Sequence, residues 1–176
     1  MILDIARMML FPALMAFAAS SDLFTMTIPN RVSLALIAGF IVMAPLSGMA
    51  PYDMLSHAGA GLLVLVVAFG CFAMGWMGGG DAKVAAAAGL WFGFDHLLVF
   101  LLYASLFGGA LTFLVIQLRQ WPLPRVLTGQ DWLVRLHDMR TGIPYGIALA
   151  FGALMAYPET SWIKSVDIAH LANALT

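Results

Sequence analysis

Long unbroken apolar runs, separated by short clusters of polar residues, glycine and proline, dominate the chain. The first run covers residues 8–19, extends back to Ile5 across Arg7, and stops at Ser20-Ser21-Asp22. The second follows Ile28-Pro29-Asn30 and covers residues 32–46, after which Gly48 and Pro51 mark a short loop. A third, residues 55–76, ends in Gly78-Gly79-Gly80-Asp81. The fourth is short and alanine-rich, residues 84–94, and Asp95-His96 separates it from a long fifth run, residues 97–118. A polar connection over residues 119–142 leads to a sixth run, residues 143–157, and a mixed tail, residues 158–176. Barrel strands would alternate apolar and polar residues over about ten positions. Continuous runs instead predict helices, whose backbone polar groups are satisfied internally. The expected fold is all-α and polytopic, with about six transmembrane helices in a domain over residues 1–158 and an outer-face tail over residues 159–176. Several runs are shorter than the roughly 20 residues a crossing needs. Such spans are tolerated where a polar loop dips into the membrane shielded by protein.

Composition removes the soluble alternatives. Of 176 residues, 62% are hydrophobic and 10% charged, with a formal net charge of −1; a soluble domain has about 45–50% apolar and about 25% charged residues. Eight Lys/Arg and nine Asp/Glu cannot cover a water-facing surface of ordinary size. This excludes a soluble globular enzyme, a disordered regulator and a cationic nucleic-acid binder. The single cysteine, Cys71, cannot form an internal disulfide.

Six crossings would put Arg31, Lys83, Arg119, Arg125, Arg135 and Arg140 on one side and only Arg7 and Lys164 on the other. The richer set belongs to the cytoplasm, so both termini are expected outside and Asp22 and Asp81 at cytoplasmic ends of spans. A competing parse takes residues 1–19 as a signal peptide with an Ala16-Phe17-Ala18 exit. Asp4 ahead of Arg7 and the charge bias both favour six spans.

Ionisable groups near membrane depth are costly and point to function. Asp22 follows an apolar run directly, and Asp81 follows three glycines. Glycine admits left-handed backbone and close approach of neighbouring chains, so Gly78-Gly79-Gly80 reads as a bend that delivers Asp81 into a helix junction. Pro29 biases Ile28 toward extended backbone, and Asn30 is suited to cap the following helix. Two aspartates close together in a low-dielectric cleft hold one proton between them, and the pair can polarise a carbonyl while activating a water. The alternative is that both are solvated loop charges that end helices.

The particular residues add to this. Asp22, then Ile28-Pro29-Asn30 after five intervening residues, then Gly78-Gly79-Gly80-Asp81 with its aspartate 59 positions after Asp22, resembles the type IV prepilin peptidases, intramembrane aspartyl proteases with a Gly-x-Gly-Asp motif. Lys83 and the late Gly142-Ile143-Pro144-Tyr145-Gly146 segment also look like that family. The resemblance implies Asp22 and Asp81 as catalytic residues, with Gly78, Gly80, Lys83, Pro29, Asn30 and Pro144 binding substrate or supporting them. It implies no cofactor and no metal, a prepilin or pseudopilin precursor as partner beside the lipid bilayer, and a bacterial inner-membrane location with the site near the cytoplasmic face. Larger members carry paired Cys-x-x-Cys motifs and an N-methyltransferase activity. With one cysteine, this chain looks like the short form, similar to the peptidases of Flp/Tad pilus systems, and is expected to cut leaders without methylating the new terminus.

The remaining polar residues have two readings each. Lys83 either acts on the Asp81 carboxylate or snorkels to the interface. Asp95-His96, and likewise Asp53 and His57, read as outer-loop residues, and the four histidines show no ligand spacing. Gly78-Gly79-Gly80 lacks the Gly-Lys-Ser/Thr of a nucleotide loop. Within residues 117–141, Trp132, Leu133, Leu136 and Met139 recur at helical spacing opposite Asp131, Arg135 and Asp138. This suggests an interfacial helix anchored by Trp121 and Trp132, which either flanks a substrate entry path or is a surface linker. The tail around Trp162, Ile163 and Val166 suggests another interfacial helix. Two other functions stay open on the residues alone: a transporter using the aspartates for protons or cations, and a non-catalytic assembly factor in which they pair helices.

Overall fold

The computed structural model describes residues 2–166. The order is α1 (Ile2–Thr25), α2 (Asn30–Leu46), α3 (Pro51–Ala73), α4 (Gly79–Gln120), α5 (Asp131–His137), α6 (Tyr145–Ala156) and α7 (Ser161–Lys164), with single 3-10 turns at Arg125–Leu127 and Tyr157–Glu159. No strand occurs among the described residues. Among the described residues, three helices are long and apolar enough to cross a membrane: α1, α3 and α4. Their outward faces carry large apolar side chains such as Phe17, Val66, Leu98 and Leu114, a surface that suits lipid and not water.

The fourth and fifth apolar runs form one 42-residue helix broken at Gly93, where φ is 60° and ψ −178°. The chain reverses there. A straight helix of that length would be about 63 Å long, yet Asp81 and Arg119, from its two ends, line one cavity of about 790 Å³. Phe92 and Phe100 stack across the reversal with ring centroids 4.7 Å apart. The first leg, residues 79–92, thus ends at Gly93 and the second leg, residues 94–120, returns. Carbonyls freed at a helix end need donors: His57 Nδ1 donates to the Leu90 oxygen at 2.9 Å and Trp162 Nε1 to the Trp91 oxygen at 2.8 Å. A Cβ on Gly93 would lie 2.6 Å from His57 Nε2, so both the positive φ and the space require glycine. Asp95 and His96 are therefore helical and not an outer loop, and His57 is a helix-packing residue on α3.

An aromatic cluster fills the centre. Phe11 stacks on Tyr157 at 4.7 Å and tilts against Trp91 at 5.2 Å, and Trp91 meets Trp162 at 4.9 Å. Their polar tips are satisfied, as burial in a membrane domain demands: Trp91 Nε1 donates to the Leu36 oxygen, and Tyr157 Oη to the Arg7 oxygen. Trp162, expected in an interfacial helix, is thus part of the core; residues 167–176 of the expected tail helix lie outside the described residues. Small residues line the first leg, where Ala85, Ala87 and Ala88 are buried and let helices approach closely. The α1 helix belongs to this core through Phe11, Met15 and Ala18, all with no exposed surface, so the signal-peptide parse would remove a packed element.

The connections gather at two opposite ends. Ser47, Asp53, His57, Asp95 and Trp162 line a cavity of about 450 Å³ at one, where Arg7 also donates to Ser47. Residues 26–29, 74–78 and 121–144 gather at the other, which carries Asp22 and Asp81.

Candidate active site

Asp22 stands in the last turns of α1 and is 6% exposed. Its Oδ2 accepts a 2.7 Å hydrogen bond from the backbone N–H of Gly146, the second residue of α6. The first N–H groups of a helix lack intrahelical partners, and its dipole is positive there. The Asp22 carboxylate therefore caps a helix other than its own. Pro144, fully buried, is the N-cap of α6 and sets its start.

Asp81 occupies the third position of α4, with Gly78 as N-cap. Its carboxylate turns back to the Gly78 backbone, as the third residue does in a capping box. The other oxygen, Oδ1, is buried and accepts no hydrogen bond from the described residues, which leaves an acceptor for a reacting group. Asp22 and Asp81 line one cavity of about 290 Å³ with Met26, Thr27, Ile28 and the three glycines. They are near enough for a charge on Asp22 to act on Asp81.

The glycines serve by size, not by backbone sign. Gly78 has φ −71°, and Gly79 and Gly80 are helical, so the left-handed bend expected from the sequence is absent. A Cβ on Gly78 would lie 2.9 Å from Asp81 Oδ2, and one on Gly80 3.3 Å from Ile28 Cβ. Gly146 is tighter still, at 2.9 Å from both Asp22 Oδ2 and Ile28 Cδ1. Ile28 thus wedges between the start of α4, which carries Asp81, and the start of α6, which holds Asp22, and Pro29 holds it extended and N-caps α2 with φ −62° and ψ 140°. Asn30 is the first helical residue and makes no cap; its Oδ1 accepts from Lys83 Nζ at 2.9 Å. Lys83 therefore ties α4 to α2, and its ammonium group forms no ion pair with Asp81 among the described residues.

The polar connection docks at the same end. Its helix is shorter than the spacing predicts and buries Leu136, while Met139 is exposed. Trp132 meets Phe24 edge-on at 5.7 Å, and Arg135 Nη2 donates to the Phe24 oxygen at 2.6 Å, two residues after Asp22. Trp121 is exposed. Gly146 and Ile28 are site residues the sequence reading quoted without assigning a role, and Met26, with φ 54°, ends α1 in a conformation rare for a side chain of this kind.

The chain is 31% identical over 159 residues to a prepilin leader peptidase/N-methyltransferase of Aeromonas salmonicida (strain A449), covering 88% of this chain and 48% of that protein. It is 30% identical over 158 residues to one of Bacillus subtilis (strain 168), covering 88% of this chain and 56% of the other. The chain spans about half the length of the curated relatives it matches. No solved structure matches it. The family profile aligns with residues 9–113, a stretch that holds both aspartates, the Ile28-Pro29-Asn30 element and Gly78-Gly79-Gly80, and the chain belongs to the type IV leader peptidase family.

Proposed function

We propose that this peptidase is of the aspartic type and removes the basic leader from prepilin or pseudopilin precursors at the cytoplasmic face of a bacterial inner membrane. The observation that carries the reading is the joint placement of Asp22 and Asp81 on one small cavity, from two helices, at the end of the molecule richest in arginine. The pair holds one proton between its two carboxyl groups. The ionised carboxylate takes a proton from water as the oxygen attacks the scissile carbonyl carbon, and the protonated partner donates to the carbonyl oxygen. The tetrahedral diol then collapses, the C–N bond breaks, and the leaving nitrogen receives a proton from the pair. Of the two activities in the relatives' names, leader cleavage is the one assigned to these residues. With Cys71 as their single cysteine, we assign them no methylation and a role in a Flp/Tad-type pilus system. The aspartates stand at helix ends and not mid-helix, which favours hydrolysis over ion transport.

The direct test is co-expression with a candidate precursor, read as a mobility shift and a new N-terminus at the leader junction. An unprocessed precursor beside the inserted wild-type protein would count against the reading. Chelators should leave cleavage unchanged, because a proton-sharing carboxylate pair needs no metal. The rate should fall at low pH, where both carboxyls are protonated, and at high pH, where both are ionised. Loss of cleavage with chelator, restored by zinc, would point to a metallopeptidase. For the six-crossing arrangement, reporter fusions after Ser47 and Asp95 should read outside, and those after Arg31 and Arg125 cytoplasmic. A cytoplasmic signal at Ser47 would put the carboxylates on the wrong face for a cytoplasmic leader.

A further inference from the structure

Between α5 and α6 the chain runs over residues 138–144 without a helix or strand, yet this segment delivers the N–H that holds Asp22. Within it the Thr141 hydroxyl bonds to the Arg135 and Asp138 oxygens, and one guanidinium ties both of its sides to α4. Arg119, in the last turn of the second leg, donates from Nε to the Leu136 oxygen at 2.9 Å and from Nη2 to the Thr141 and Gly142 oxygens at 3.2 and 3.0 Å. Three carbonyls on either side of the turn at Asp138 are thereby gathered onto a single planar fork, a geometry that suits arginine better than lysine. Four residues beyond Gly142, past the buried Pro144, Gly146 donates to Asp22. We propose that Arg119 is a positioning residue: by clamping the backbone at Leu136, Thr141 and Gly142, it fixes the Gly146 N–H on the Asp22 carboxylate. The inference rests on the reading of Asp22 as a catalytic carboxylate.

Arg119 also lines the cavity of about 790 Å³ beside Asp81, so a direct contact with substrate is the competing role. The two roles separate kinetically. A group that only orients the reacting carboxylate lowers kcat, whereas one that binds substrate equally in ground and transition states raises KM. Small displacements of a catalytic group are costly, and about 1 Å can cost about 10²-fold in rate.

The experiment uses the full-length protein in membranes with a precursor substrate, and membrane fractionation to normalise the amount inserted. Arg119→Gln should lower kcat by about 10-fold or more with KM within about 2-fold of wild type, and Arg119→Lys should recover part of the loss. Gly146→Ala, which displaces the same hydrogen bond, should not combine multiplicatively with Arg119→Gln, because both act on one contact. A raised KM at unchanged kcat, or fully multiplicative losses in the double variant, would overturn the proposal. If Arg119→Gln does not insert, the same comparison with Arg119→Lys decides, since that variant keeps the charge. Failure of this inference alone would appear as an inactive Asp22→Asn beside a normal Arg119→Gln. An active Asp22→Asn would instead overturn the protease reading itself.

Discussion

Asp22→Asn and Asp81→Asn should each reduce leader removal by about 10³-fold or more while the protein inserts at normal levels, because residues that act as a unit lose most of the rate when either is removed. The expected normal insertion has a structural reason. An asparagine amide keeps the shape of the carboxylate, and its oxygen can still accept the Gly146 N–H at position 22 or face the Gly78 backbone at position 81. What it cannot do is exchange a proton with the scissile group. Loss of cleavage without loss of protein therefore reports chemistry and not folding. Near wild-type processing by either variant would dismiss the two-aspartate mechanism, and an assembly factor would then account better for the buried pair.

The second large effect is expected at glycines, and the structure orders it. Gly146→Val should abolish cleavage nearly as fully as loss of an aspartate, by about 10²-fold or more, because its Cβ would meet Asp22 Oδ2 and Ile28 Cδ1 at 2.9 Å and Asp22 Cβ at 3.0 Å. Gly78→Val comes next, with Asp81 Oδ2 at 2.9 Å. Gly80→Val must push Ile28 from 3.3 Å, and Gly79→Val meets only the ring edge of Phe72, which is 46% exposed and free to swing. Since none of the four has positive φ, alanine should be milder than valine at every one of them. The measurement is processing per inserted protein. Equal, near-normal processing by Gly146→Val, Gly78→Val and Gly79→Val would mean that close approach at the carboxylates is incidental.

The ends of the molecule were far more legible in the sequence than its middle. Asp22 and Asp81 stand out because charge is rare in a chain that is 10% charged, and the glycine and proline around them mark chain breaks. The expected meeting of the two ends follows from alternating crossings. The reversal at Gly93 was misplaced onto Asp95-His96 because one glycine suffices to turn the chain when α3 and α7 side chains take the freed carbonyls. No polar punctuation is needed. Which apolar residues face the core was not legible at all: a lipid-facing leucine and a buried one satisfy the same pattern. The tail around Trp162 reads as an interfacial helix for that reason, although Trp162 is 2% exposed. The pairing of Lys83 with Asn30, across 53 positions, and the grip of Arg119 on three carbonyls are tertiary facts with no local trace.

One feature of the fold bears on the bilayer itself. The helices whose N-termini meet the carboxylates are short ones: α6 has 12 residues, about 18 Å, and the first leg of α4 covers residues 79–92, about 21 Å. Their neighbours α1 and α3 have 24 and 23 residues. Against a hydrocarbon core roughly 30 Å thick, neither short helix is long enough to span it, and both are largely buried among the other helices. In a membrane of that thickness, helices of this length would leave Asp22 and Asp81 short of a flat surface, and water would have to descend to reach them.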